Sequence, residues 1–208
     1  MKRVFVIFLL LAGCIITFNA CKKKVNGCTD VSAQNYNPKA TNDDWTCTYL
    51  TIGQSYQGGI IAYILQSGDP GFDAKAQHGL IAAPSDQSTV ATWGCSGTDI
   101  LGTSGEVIGT GNQNTIDILA NCPQLGTAAE VCGDLTLGGY SDWYLPSQDE
   151  LSKVYINKAY IGGFANRSYW SSTEQGAFLA TIVEFGNAGG SGTGAKADTF
   201  YVRAVRSF

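Results

Sequence analysis

The chain has 208 residues, 44% of them hydrophobic, with 13 Lys and Arg against 17 Asp and Glu and a single His. That length holds one ordinary domain plus something small, and the apolar content suffices for a buried core, so disorder of the whole chain is excluded. A formal charge of −4 repels polyanions, which makes nucleic acid and sulfated polysaccharide poor default partners.

Residues 1–20 carry the parts of a secretory signal: Lys2 and Arg3 as a charged start, then an almost unbroken apolar run over 4–16, too short for a comfortable membrane span. The run ends at Phe18-Asn19-Ala20-Cys21, and Lys22, Lys23 and Lys24 follow at once. This resembles a bacterial lipoprotein signal. The resemblance implies removal of 1–20, a lipid on Cys21, a basic tether over 21–27, and an outer-membrane location facing either the surface or the periplasm. Leu11-Ala12-Gly13-Cys14 fits the lipobox consensus better letter for letter, but it would leave a short apolar core and keep Ile15, Ile16, Thr17 and Phe18 on the mature protein. Cys21 is therefore the expected lipid site, with an ordinary cleaved signal as the remaining reading. Loss of Lys2 and Arg3 leaves 11 basic residues against 17 acidic ones, a charge of −6.

Seven cysteines in an exported chain point to disulfides rather than metal thiolates. With Cys14 removed and Cys21 lipidated, five remain, so one thiol is expected to stay free. Residues 28–49 form a short acidic segment of turn formers closed by Cys28 and Cys47. It is too small to bury a core, and a Cys28–Cys47 bridge would supply the missing constraint, about 3 kcal/mol by loop entropy. The segment resembles a cysteine-bounded module of exported bacterial proteins, with related acidic repeats that bind calcium. Asp30, Asn35, Asn37, Asp43 and Asp44 are oxygen donors of the right type but lack the alternating rhythm of a calcium loop, so they are weak calcium candidates and no metal is expected.

From Thr51 onward short strands alternate with Gly-rich connections. Apolar runs over 59–65 and 79–83 read as strands, and the turn between them carries His78, read as a solvated loop residue. Residues 92–111 read as a loop: 105–111 lacks the lysine and preceding strand of a phosphate loop. Helices are expected over 114–120 and 127–135, the second with a Thr127/Glu130 capping box. Cys122 and Cys132 flank or occupy them, and either could pair with Cys95. The densest stretch is Gly138-Gly139-Tyr140-Ser141-Asp142-Trp143-Tyr144-Leu145-Pro146-Ser147-Gln148-Asp149-Glu150-Leu151. It reads as a turn, a short strand over Trp143, Tyr144 and Leu145, a stop at Pro146, and a helix opened by a Ser147/Glu150 capping box with Leu151, Val154 and Tyr155 on one face. Strands are expected over 169–173, 177–185 and 200–205, with 186–198 as a mobile hairpin loop of the kind that carries binding residues.

Three of these motifs, Gly139-Tyr140-Ser141-Asp142-Trp143-Tyr144-Leu145-Pro146-Ser147, Tyr169-Trp170-Ser171-Ser172-Thr173-Glu174 and Val202-Arg203-Ala204-Val205-Arg206, together resemble the Lcl C-terminal domain family, over residues 50–208. The resemblance implies an α+β, C-type lectin-like fold: small antiparallel sheets, two or three short helices and long Gly-rich loops. It also implies adhesion or ligand binding at the cell surface. The Glu-Pro-Asn, Gln-Pro-Asp and Trp-Asn-Asp triplets of calcium-dependent sugar lectins are missing, so such binding has no residues to rest on.

Trp143, Trp170 and Tyr169 are the candidate ligand-stacking residues, with burial in the core as the competing reading. Arg203 and Arg206 are expected to pair with Asp142 or Glu174. No catalytic residues and no cofactor are expected. The functional expectation is a lipid-anchored, non-catalytic surface protein that binds a neutral carbohydrate or a protein. The alternatives are an oxidase like those that generate formylglycine from cysteine, resting on surplus thiols among Cys95, Cys122 and Cys132, and a purely structural envelope protein. Mass spectrometry of the mature N-terminal peptide tests the anchor: a diacylated peptide beginning at Cys21 is expected, and one beginning at Cys14 would overturn it.

Overall fold

Residues 199–207 run through both main sheets, and the way the chain passes from one to the other organises everything between them. The computed structural model describes residues 23–186 and 189–208; the signal, Cys14 and Cys21 lie outside them. In chain order the elements are β1 (Asn26–Gly27), β2 (Asn42–Asp43), β3 (Ser55–Tyr56), β4 (Gly59–Ile64), β5 (Gly79–Ala82) and β6 (Ser88–Thr92). Four helices follow, α1 (Gly111–Asn121), α2 (Ala128–Gly133), α3 (Gln148–Ile156) and α4 (Lys158–Ile161). The chain closes with β7 (Ser168–Glu174), β8 (Leu179–Glu184), β9 (Ser191–Ala195), β10 (Thr199–Val202) and β11 (Val205–Ser207).

The architecture is mixed α+β. One sheet has the order β6-β10-β7-β8-β9 and the other β11-β5-β4-β3. The second is antiparallel throughout, whereas the first contains a parallel pair, β10 with β7, which the expectation of antiparallel sheets did not include. Within the 186–198 connection expected to be a mobile loop, residues 191–195 form the edge strand β9, paired over five residues with β8. Its alternation is too rich in Gly, Ser and Thr to read as a strand.

The central stretch is a hub rather than a strand. Of the three residues expected as a strand, Tyr144 alone makes a β-bridge, its N–H and C=O exchanging bonds of 2.8 and 3.0 Å with Val205 of β11. Leu145 N–H donates to Thr115 Oγ1 of α1 at 3.1 Å, and Pro146 C=O accepts from Ser172 N–H of β7 at 2.8 Å. Then α3 starts with a complete capping box, Ser147 N–H donating to Glu150 Oε2 at 2.8 Å. Glu150 also reaches across to the loop before α1, accepting from Gly109 N–H at 2.9 Å. A Cβ on Gly111 would lie 2.2 Å from Glu150 Oε2, so α1 can approach only with glycine there. The cap of α2 differs from its expected form: Thr127 Oγ1 accepts from Glu130 N–H, but the Glu130 carboxylate turns back to Gly126 N–H.

The register of β7 with β8 slips between Trp170 and Glu174, and this bulge turns Ser171, Ser172 and Thr173 into buried tethers. Ser171 Oγ donates to Thr181 C=O at 3.0 Å and Thr173 Oγ1 to Gly105 C=O at 2.8 Å. Apolar packing collects in two clusters. One centres on Trp93, Ile118, Trp143 and Trp170, the other on Tyr144, Leu151, Tyr169 and Phe185.

Buried charge fixes the loops. Arg203, between β10 and β11, is fully buried and makes four hydrogen bonds and an ion pair. Nε donates to Asp86 Oδ1 at 2.9 Å, Nη1 to Ala83 C=O at 2.9 Å and to Gly162 C=O at 3.4 Å, and Nη2 to Gly163 C=O and to Asp86 Oδ1. Its guanidinium lies 3.9 Å from the Phe164 ring centroid. Arg206 pairs with Asp142 through bonds of 2.8 and 2.7 Å, as the spacing of charges led one to expect. Glu174 instead holds Lys196, and also accepts from Thr103 Oγ1 at 2.7 Å and Ile100 N–H at 3.0 Å. The 98–103 loop is thereby ordered from beneath.

Cys28 is bonded to Cys47 and Cys95 to Cys122, and Cys132 is free and buried. The N-terminal segment meets the rest through paired bonds of Gln77 with Leu50, at 2.8 and 3.2 Å.

Arg203→Met is expected to destabilise the protein by about 3–5 kcal/mol, because Asp86 and three carbonyls lose their partner inside the fold. Thermal unfolding reads this as a loss of roughly 2–4 °C per kcal/mol, with the exposed Arg167→Met as a control that changes little. Burial also pushes the Glu150 carboxyl above its usual range, opposed by the amides of Ser147 and Gly109. The folded state then holds that proton longer than the unfolded chain, so the stabilising contribution is full below the ordinary carboxylate pKa and is lost as pH rises through the raised value. Urea unfolding of wild type against Glu150→Gln should show the wild type losing ground as pH climbs from about 4 to 7. A difference that is flat or grows in that direction would overturn this assignment.

Candidate surface cleft

The three aromatic residues singled out from sequence do not form a binding face. Trp143 is 3% exposed and Tyr169 and Trp170 are fully buried, which corrects their assignment as ligand-stacking residues. Trp170 Nε1 donates to Ala91 C=O at 3.0 Å, and Tyr169 OH bonds Asp86 Oδ2 at 3.0 Å while accepting from Ala165 N–H at 2.9 Å. Their polar atoms are bonded inside the protein, and their rings fill opposite clusters. Trp143 belongs to the Trp170 cluster, and its Nε1 has no hydrogen-bond partner among the described residues.

What Tyr169 and Trp170 do is back a pair of rings that reach the surface. Phe200 stands edge-on to Trp170 at 4.7 Å between centroids, and Tyr201 lies 5.3 Å from Tyr169. Phe200 and Tyr201 are half-buried and line a cleft of about 500 Å³ at the N-terminal ends of the parallel pair β10 and β7. That pair has a single register match, Tyr201 with Tyr169, so the strands part and leave space. Asn166, Arg167, Ser168, Glu184 and Thr199 complete the lining with Gly186. None of these five side chains has a hydrogen-bond or ion-pair partner among the described residues, and Arg167 and Glu184 provide one charge of each sign. A cleft with free donors and acceptors beside a partly exposed aromatic ring can hold a hydroxyl-bearing molecule by stacking and hydrogen bonding.

Sequence reasoning missed this cleft by one layer. Phe200 and Tyr201 were read as part of a closing strand, and Asn166 and Arg167 sit in a connection without a motif. The signal available was adjacency: two consecutive aromatics on a strand cannot both face the same core.

The candidate calcium donors serve the turns of their own segment. Asp30 Oδ1 accepts from Ser32 N–H at 2.9 Å and its Oδ2 from Tyr49 OH at 2.6 Å. Asn35 Oδ1 accepts from Thr48 N–H, Asn37 Oδ1 from Lys39 N–H, Asp43 Oδ1 from Trp45 N–H and Asp44 Oδ1 from Thr46 N–H. Among the described residues no group of three or more His, Cys, Asp and Glu side chains is placed to hold a metal ion. His78 is exposed, with Nδ1 3.2 Å from Phe208 C=O. Cys132 is wholly buried, and burial pushes its thiol up.

A family model of the Lcl C-terminal domain matches residues 83–206. The chain belongs to that family. All the cleft residues fall inside the matched span of the Lcl domain, whereas β3, β4 and β5, which complete its four-stranded sheet with β11, precede it. The Lcl domain of this chain therefore draws one of its sheets largely from residues before 83. No curated protein matches the chain. Among solved structures it is similar to a fimbrial protein from Bacteroides ovatus ATCC 8483, with a TM-score of 0.54 and 14% identity, over 82% of this chain and 50% of that one. The likeness concerns the fold, and the chain spans about half the length of that protein. No helix among the described residues is long and apolar enough to cross a membrane.

Proposed function

We propose that this protein is a non-catalytic binding module of the bacterial cell surface, anchored in the outer membrane through a lipid on Cys21. In this reading its Lcl domain, a variant of the C-type lectin-like fold, takes a neutral carbohydrate in the Phe200–Tyr201 cleft. The observation that carries it is the set of unpartnered polar side chains, Asn166, Arg167, Ser168, Glu184 and Thr199, around a cleft that the half-buried Phe200 and Tyr201 also line. Stacking needs an open π-face, and sugar hydroxyls need donors and acceptors not already engaged within the protein. With one charge of each sign, the cleft favours no net ionic ligand, in keeping with the acidity of the whole chain. Membership of the Lcl family and the shared fold of a fimbrial protein support placement at the surface and a role in adhesion.

The oxidase alternative requires two reactive thiols. Cys95 and Cys122 are joined and Cys132 is sealed in the core, which leaves that alternative without its reagents among the described residues. A purely structural role leaves the unpartnered cleft without a purpose.

The test is a glycan array probed with the full chain carrying Cys21→Ser to keep it soluble, with and without chelator. Binding to neutral glycans is expected, indifferent to chelator, and weakened at least about tenfold by Asn166→Ala or Arg167→Ala at unchanged thermal stability. Chelator-sensitive binding, or binding that ignores both substitutions, would overturn the assignment. No binding to any neutral glycan would return the protein to the structural reading.

A further inference from the structure

A second groove, sharing no lining residue with the Phe200–Tyr201 cleft, runs between α3 and the 65–71 and 105–110 loops. We infer that it docks an extended segment of a partner protein that presents a large apolar side chain followed closely by a basic one.

The groove consists of two hollows, of about 260 and 540 Å³, and Pro70 and Ile108 line both. The inner hollow is walled by Leu65, Leu80, Ile108 and Phe208, an apolar socket of side-chain size. At the outer hollow stand Val107 and Ile156, 51% and 67% exposed. The fold gives these two large aliphatic side chains no cover although Ile156 lies at the end of an otherwise well-packed helix. Exposed aliphatics beside an apolar socket form the core of a docking patch, and the charged groups around them form its rim.

The charges of the outer hollow decide the occupant. Asp69, Asp149 and Lys153 line it, two carboxylates against one amine. Asp69 is held as a carboxylate by Gln66 N–H and Tyr63 OH, each 2.7 Å from its Oδ2. Asp149 and Lys153 lie one helical turn apart, yet neither takes part in an ion pair among the described residues. Lys153 lies instead over the Tyr63 ring, 4.8 Å from its centroid. The Asp149 carboxylate is left facing the hollow without a counter-ion, so the complementary charge is positive. A polysaccharide has no apolar group to fill the inner socket and a lipid chain has no cation at side-chain spacing from it. A polypeptide supplies both.

The full chain with Cys21→Ser is titrated, by fluorescence anisotropy, against three capped peptides on an alanine and glycine background: one with phenylalanine and a lysine two positions on, one with glutamate in place of that lysine, and one with the lysine but no phenylalanine. The first is expected to bind at least about tenfold more tightly than the others. Val107→Glu and Ile156→Asp should abolish this preference, and Asp149→Lys should reverse it towards the glutamate peptide. All three positions are exposed or half-buried, and thermal unfolding of each variant verifies its fold. Equal binding of the lysine and glutamate peptides, absence of binding by the first, or an unchanged preference in Asp149→Lys would overturn the inference. Arg167→Ala, in the other cleft, should leave peptide binding intact, and a loss there would also overturn it.

Discussion

The fold depends on a fully buried guanidinium. Arg203 occupies the two-residue passage where the chain leaves the five-stranded sheet and enters the four-stranded one, and it reaches Ala83 at the end of β5, Asp86 before β6, and Gly162 and Gly163 after α4. Three segments distant in sequence, the β5–β6 connection, the stretch after α4 and the passage itself, thus meet on one planar cation whose five donors point in fixed directions. A buried charge is costly unless it is paired and hydrogen-bonded, and here Asp86 pairs it while three carbonyls accept its remaining bonds. The gain is geometric: a flexible apolar side chain in the same place would fill the space but would not set the angle between the sheets.

The same device recurs where the chain has least apolar material. The Gly-rich run after β6 contributes few side chains to either cluster, and it is held by the Glu174 carboxylate under Ile100 and Thr103, by Lys196 reaching Thr98 C=O at 2.7 Å, and by the Cys95–Cys122 bridge. Lys196 is shielded by the Trp93 ring, 4.5 Å from its centroid. Long loops of this kind ordinarily carry a large conformational freedom, and a few buried polar anchors remove it at fixed points. Hydroxyls act likewise in Ser171, Ser172 and Thr173, whose neighbours in the bulge of β7 tie the sheet to the start of α3.

Rigid underpinning leaves two places open at the surface. One is the cleft at the start of β10 and β7, beside Phe200 and Tyr201, which rest on Trp170 and Tyr169. The other is the groove beside α3, whose helix is pinned at its first turn by Ser147 and Glu150. In both, the residues that reach the surface are presented by a second layer that cannot move without unfolding the core. Such pre-organisation lowers the cost of ordering a surface when something binds to it.

The sequence alone determined the local features. The capping box at Ser147, the N-cap at Thr127 and the strands around Ile61 and Ile81 follow from short-range spacing, because a cap or an alternating strand is defined within a few residues of itself, and the family and its α+β class follow from three motifs read together. The pairing of Arg206 with Asp142 was also legible, since motif and counter-charge were already in view. Other features were decided only by tertiary structure. Arg203 took Asp86 rather than Asp142 or Glu174, because the passage between sheets sets the guanidinium against the start of β6. Trp143, Tyr169 and Trp170 went inside and Phe200 and Tyr201 came to the edge, and β9 became a strand because β8 offered it a complete ladder. In each of these cases the outcome depends on which distant segment arrives as a neighbour, and composition and periodicity record only what each residue would accept, not what it is given.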